Sequence, residues 1–112
     1  MRQGDICIVR LDPVVGHEQA KTRPCVIVQC NTLNMFLNTV IIAPITSTIP
    51  EKMYPNIISL NKDTSSLKKE GVIKIEQLRC IDKSRIQKKV GLVTQKKIEE
   101  IKAALKAVFS MY

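Results

Sequence analysis

At 112 residues, 45% hydrophobic and 25% charged, the chain has the size and composition of one folded domain spanning 1–112, with no low-complexity run to suggest disorder. Eighteen lysines and arginines against ten acids leave a formal charge of +8, which favours an anionic partner, nucleic acid first and an acidic protein second, over a merely solvated basic surface. The longest apolar run, Val40 to Ile45, falls far short of the ~20 residues a membrane helix needs, so a cytoplasmic protein that does not engage a membrane is expected.

Gly4 to Asp12 reads as a first strand, with Cys7, Val9 and Leu11 on one face and Ile6, Ile8 and Arg10 on the other. A polar segment, Asp12 to Pro24, carries His17, Glu18, Gln19, Lys21 and Arg23 between two prolines and runs straight into an apolar second strand, Pro24 to Gln29. Asn31 to Asn38, rich in asparagine, is expected to be a loop or wide turn, and Thr39 to Ile45 a third strand.

Thr46 to Pro55, with Thr46-Ser47-Thr48 and two prolines, reads as a second long loop, followed by a short strand at Asn56 to Leu60 and a turn-rich loop at Asn61 to Glu70. Gly71 to Gln77 alternates as a fifth strand with one wet face, Asp82 to Arg85 reads as a turn or short helical turn, and Lys89 to Val93 as an edge strand. From Thr94, the expected N-cap, Ile98, Ile101, Leu105, Val108 and Phe109 switch to helical spacing, which makes a terminal amphipathic helix with Phe109 in the core. Lys97 occupies the third position after Thr94, so no capping box forms. Strands in succession without intervening helices predict a mainly antiparallel sheet curled into a small barrel of five to seven strands, closed by that helix.

Cys7, Cys25, Cys30 and Cys80 contain no C-x-x-C pair and three stand in apolar runs, so they are expected as free thiols filling the core, without metal or disulfide. Phe36 and Tyr54, both expected in loops, are candidates for stacking on bases or covering a partner surface.

The Asp12 to Pro24 segment holds the residue types that strand scission through the RNA 2′-hydroxyl requires. That reaction needs a base for the hydroxyl proton, a cation or donors for the charged phosphorane, and an acid for the departing 5′-oxygen. Glu18 can accept a proton, Arg23 can hold two phosphate oxygens in its planar fork, and His17 or Lys21 can donate or add charge. Glu18 can equally be a surface carboxylate or an ion-pair partner of Arg23. With one histidine, a mechanism needing a histidine base and a histidine acid from one subunit is unavailable, and Asp5, Asp12 and Glu18 show no D-x-D or H-x-H spacing, so a reaction without metal or other cofactor is expected. Thr46 and Ser47 supply hydroxyl donors if their loop lies beside the first, and Glu76-Gln77-Leu78-Arg79 can read bases or simply end a strand.

Four pieces in order, Arg2-Gln3-Gly4-Asp5-Ile6, Asp12 through Gln19 with Arg23-Pro24, Ala43-Pro44-Ile45-Thr46-Ser47, and Glu76 through Asp82, carry a resemblance to the MazF/PemK toxins of bacterial toxin–antitoxin pairs. The resemblance implies an SH3-like barrel that forms a homodimer, cuts single-stranded RNA without metal to leave 2′,3′-cyclic phosphate and 5′-hydroxyl ends, and is neutralised by an acidic antitoxin. It further implies Arg23 and Thr46 as a catalytic pair, with Glu18 also catalytic, and His17, Gln19, Lys21, Ser47, Gln77 and Arg79 against the RNA. The chain departs from relatives in having His17 in place of a small hydroxyl residue and the bulky cation Lys21, which makes base selectivity and pH dependence its own. A gyrase-blocking toxin similar to CcdB, or a non-catalytic binding barrel, are the alternatives on the same architecture.

Overall fold

The computed structural model describes residues 1–11, 21–61, 67 and 70–110. Within them the chain runs β1 (Asp5–Arg10), β2 (Thr22–Ile27), α1 (Asn31–Phe36), β3 (Thr39–Thr46), β4 (Ile57–Leu60), β5 (Gly71–Lys74), β6 (Arg79–Asp82), β7 (Ile86–Leu92) and α2 (Gln95–Val108). Every strand pair is antiparallel, in the order β4-β5-β3-β2-β1-β7, with β6 also on β3. This is the mainly β small-barrel class with a C-terminal helix that the strand pattern predicts. Among the described residues no helix is long and apolar enough to cross a membrane.

Alternation along β1, β2 and β3 divides the core into two layers, because neighbouring residues of a strand point to opposite faces. Ile6, Val26, Ala43 and Ile45 join Ile58, Leu60, Ile73 and Ile75 on the side that Ile101 and Ala104 of α2 cover. Cys7, Val9, Cys25, Ile27, Val40 and Ile42 form the second layer with Ile81. The helix starts where Thr94 Oγ1 accepts from the Lys97 amide at 3.2 Å, satisfying one of the donors a helix start leaves open. It stops at Val108, so Phe109 lies past the helical face and is 59% exposed, which corrects its expected core placement.

Three elements differ from the sequence-based expectation. Asn31–Phe36 is a short helix and not a loop, held by a buried amide pair: Asn34 Nδ2 donates to the Gln29 carbonyl at 2.8 Å, and Gln29 Nε2 donates to Asn34 Oδ1 at 2.9 Å and to the Thr39 carbonyl at 3.0 Å. Tertiary bonding here overrides the weak helix propensity of asparagine and threonine.

The expected strand to Gln77 breaks at Lys74. A step of three residues along β3, from Ile45 to Ile42, matches a step of six on the opposing chain, from Ile73 to Arg79. The excess is extruded as a 3-10 turn at Ile75–Gln77, pinned by the fully buried Ile75, and pairing resumes as β6. Finally, β7 begins at Ile86 and carries two bulges on β1: Val90 is extra between Gly91 and Lys89, and Gln87 between Lys88 and Ile86.

Cys7 and Cys25 are buried, as expected of core thiols, whereas Cys30 and Cys80 are exposed. Cys30 precedes α1, and Cys80 sits on β6, a strand whose other neighbours are mostly exposed too.

Candidate active site

An open groove of about 910 Å³ lies where β2 and β3 part. Their ladder runs from Ile27↔Ile42 to Cys25↔Pro44. Pro24 has no amide hydrogen to extend it, and a strand proline is tolerated where pairing ends. Carried two residues farther, the same register brings Arg23 and Thr46 to one level, and both line the groove with Ser47 and Thr48. Arg23 is a strand residue, opposite Val9 of β1, so its backbone is fixed on one side while its exposed side chain is free to reach.

Thr46 is held from two directions. Its Oγ1 accepts the Thr48 amide at 3.2 Å, the local turn that threonine hydroxyls favour. That bond engages a lone pair and leaves the hydroxyl its hydrogen to donate. On the other side β5 packs close: a Cβ on Gly71 would lie 2.9 Å from the Thr46 carbonyl oxygen, so glycine permits the approach that sets this residue.

Beneath Arg23 lies Cys25, whose Sγ is 3.6 Å from the Arg23 carbonyl oxygen. Burial pushes its thiol up to about 12, against the opposing pull of the Arg23 and Arg79 guanidinium groups, so both cations stand near this sulfur. Arg79 lies outside the groove lining and is engaged just past the end of β1, donating from Nη1 to the Leu11 carbonyl at 3.0 Å. It positions the end of the strand from which the Asp12–Ala20 segment departs.

The structure therefore brings Arg23, Thr46 and Ser47 together. Lys21 is exposed beside them, its amide-bearing neighbourhood tied by Leu11 N to the Lys21 carbonyl at 2.9 Å, but it does not line the groove. Gln77 lies on the extruded turn and not at the end of a strand as expected, and it does not line this groove. His17, Glu18 and Gln19 lie outside the described residues. Phe36 and Tyr54 are 75% and 59% exposed, and neither lines the groove.

The far wall was missed by pattern reading. It comes from β7, where the groove is lined by Gln87, Lys88 and Val90, while Glu70 and Leu67 lie towards the start of β5. Nothing in Arg85-Ile86-Gln87-Lys88-Lys89 marks a site, because the signal is the bulge, which only the pairing with β1 creates.

A model of the PemK-like, MazF-like toxins of type II toxin–antitoxin systems matches residues 2–109. The chain is 39% identical over 105 residues to a protein of Staphylococcus saprophyticus described as endoribonuclease MazF, covering 94% of this chain and 88% of that one. Among solved structures, a MazE–MazF complex from Deinococcus radiodurans superposes with a TM-score of 0.82 at 23% identity, over 100% of this chain and 97% of the other. An endoribonuclease in complex with its cognate antitoxin from a mycobacterial species gives 0.81 at 19% identity, with the same coverage of 100% and 97%. These two likenesses bear on the fold; the match along residues 2–109 and the staphylococcal relative decide the family. The chain belongs to the PemK-like, MazF-like toxins of type II toxin–antitoxin systems.

Proposed function

We propose that this chain is a toxin endoribonuclease that cuts single-stranded RNA by attack of the 2′-hydroxyl on the adjacent phosphate. The observation that supports the reading is one open groove lined by both Arg23 and Thr46, residues that the strand register brings to the same level. A bidentate cation and a preoriented O–H donor are what a phosphorane needs around its non-bridging oxygens. Glu18 is the base we assign to the 2′-hydroxyl, leaving a 2′,3′-cyclic phosphate, and the departing 5′-oxygen takes a proton to become a hydroxyl. Gln19, Lys21 and His17 are assigned to the RNA beside it, with Ser47 a second hydroxyl donor.

Among the described residues the groove carries one carboxylate, Glu70, where a divalent-ion nuclease gathers several. We therefore expect activity without metal. The acidic partner is an antitoxin, to which a net charge of +8 is complementary, and the active form is a cytoplasmic homodimer of one-domain chains.

The test is cleavage of an unstructured transcript in excess EDTA, with both ends of every cut mapped. Wild-type protein leaves cyclic-phosphate and 5′-hydroxyl ends, and Arg23→Ala loses at least about a hundredfold in rate with an unchanged melting temperature. Full activity in Arg23→Ala would overturn the site, a strict metal requirement the mechanism, and blocked gyrase supercoiling without RNA cleavage the function itself.

A further inference from the structure

The β7 wall of the groove has no role in the reaction as described so far. Lys88 lies opposite Ile8, which lies opposite Pro24, so its backbone stands two strand spacings, roughly 10 Å, from that of Pro24. By alternation Lys88 shares the face of Pro24 and Arg23 that of Cys25, and both Lys88 and Arg23 line the groove at the end of the ladder. At the bulge two successive residues, Gln87 and Lys88, both line the groove, whereas along an unbroken strand neighbouring side chains point to opposite faces. The next residue, Lys89, goes the other way and is spent on Asp5, Nζ to Oδ1 at 3.2 Å, with Asp5 91% or more buried by side chain. Neighbouring lysines of one strand thus divide between a structural ion pair and an exposed ammonium on the groove; among the described residues no carboxylate pairs with Lys88.

An exposed lysine that lines the same groove as Arg23 is a second anchor for a polyanion. Arg23, as a planar fork, suits the reacting phosphate, and Lys88, a point charge on a flexible stem, suits a phosphate that must be held but not reshaped. We propose that Lys88, presented by the β7 bulge, binds an RNA backbone phosphate next to the scissile one and sets the path of the strand across the groove. The inference rests on the endoribonuclease reading. Because the contact is to the backbone, it contributes affinity without base preference.

The experiment compares wild type, Lys88→Gln, Lys88→Arg and Lys106→Gln, the last removing one charge on α2 outside the groove. Steady-state cleavage of a short single-stranded RNA is measured alongside binding of the same RNA with a 2′-deoxy nucleotide at the mapped cut. Lys88→Gln is expected to raise KM and Kd about fivefold with kcat within twofold, and to lower the slope of log Kobs against log salt by about 0.7. The cleaved motif stays the same, Lys88→Arg keeps wild-type values, and Lys106→Gln leaves the slope unchanged. An unaltered KM and slope in Lys88→Gln overturns the assignment, as does an equal loss in Lys106→Gln, or a fall in kcat at constant KM. Wild-type protein that bound the deoxy analogue but cut nothing would remove the endoribonuclease reading, while the Kd and slope comparison would still decide Lys88.

Discussion

Four residues of one type divide into two kinds here because of where their neighbours put them, two thiols buried and two exposed. Cys7 and Cys25 sit opposite each other in the β1–β2 register inside the second core layer. Burial is the main cause that raises both thiols, for Cys7 reinforced by the charge of Asp5 and for Cys25 to about 12. A thiol reacts as its thiolate, so Cys30 and Cys80, which are exposed, are expected to alkylate at pH 8 well ahead of the other two, which react only on unfolding. Peptide mapping after timed iodoacetamide treatment checks this, and early modification of Cys25 would contradict the burial of the strand that carries Arg23. The sign of the linkage follows. Folded values above the unfolded thiol value mean that stability is fully present below about pH 8.5 and falls as pH rises beyond it, when only the unfolded thiols ionise.

At the scale of elements, what the sequence disclosed and what it hid have separate causes. Strands β1, β2 and β3 and helix α2 were legible because alternation and helical period are local, and Arg23 and Thr46 were legible as candidates through the family motif. Their meeting was not, since it depends on a ladder that ends at Cys25 and Pro44. The groove's β7 wall was hidden for the same reason, a bulge being a property of two strands and not of one. Helix α1 was hidden because its hold is the Gln29–Asn34 amide pair and the Lys83 ammonium on the Asn34 carbonyl, not its own propensity. That hold has a consequence for assembly. Asn31–Asn38 contains no charged residue, and the locked helix presents Met35 at 76% and Phe36 at 75% exposure, with Leu33 and Leu37 beside them. Contiguous exposed apolar surface of this kind marks an interface, and we assign it to the second copy of the proposed homodimer. Met35→Glu with Phe36→Glu should leave the helix in place and convert the dimer to a folded monomer in sedimentation at micromolar concentration; a variant that remained dimeric would move the interface elsewhere.

At the scale of the whole molecule, the chain closes on itself through its ends. β1 is flanked by β2 and by β7, with Asp5 opposite Leu92 and its carboxylate paired to Lys89, while the α2 residues Ile101 and Ala104 lie in the same buried layer as Ile6. Contacts between such distant parts of the sequence must form together, because loop closure costs entropy that only the completed core repays. We therefore expect one cooperative unit over 1–112. A chain ended after Arg85 keeps β1 to β6 but loses β7, one of the two partners of β1, and the buried Val93, Ile101 and Ala104. Fully burying a large aliphatic side chain contributes about 1.5–3 kcal/mol, and Ile98, Leu105 and Val108, packed on the same layer, are lost with them. Since a domain of this size is stable by only about 5–15 kcal/mol, the shortened chain should show narrow amide dispersion and no sigmoidal urea transition, where the full chain shows one. A sigmoidal transition in the shortened chain would mean that β1 to β6 form a domain of their own and that the β7 wall of the groove is an addition to it.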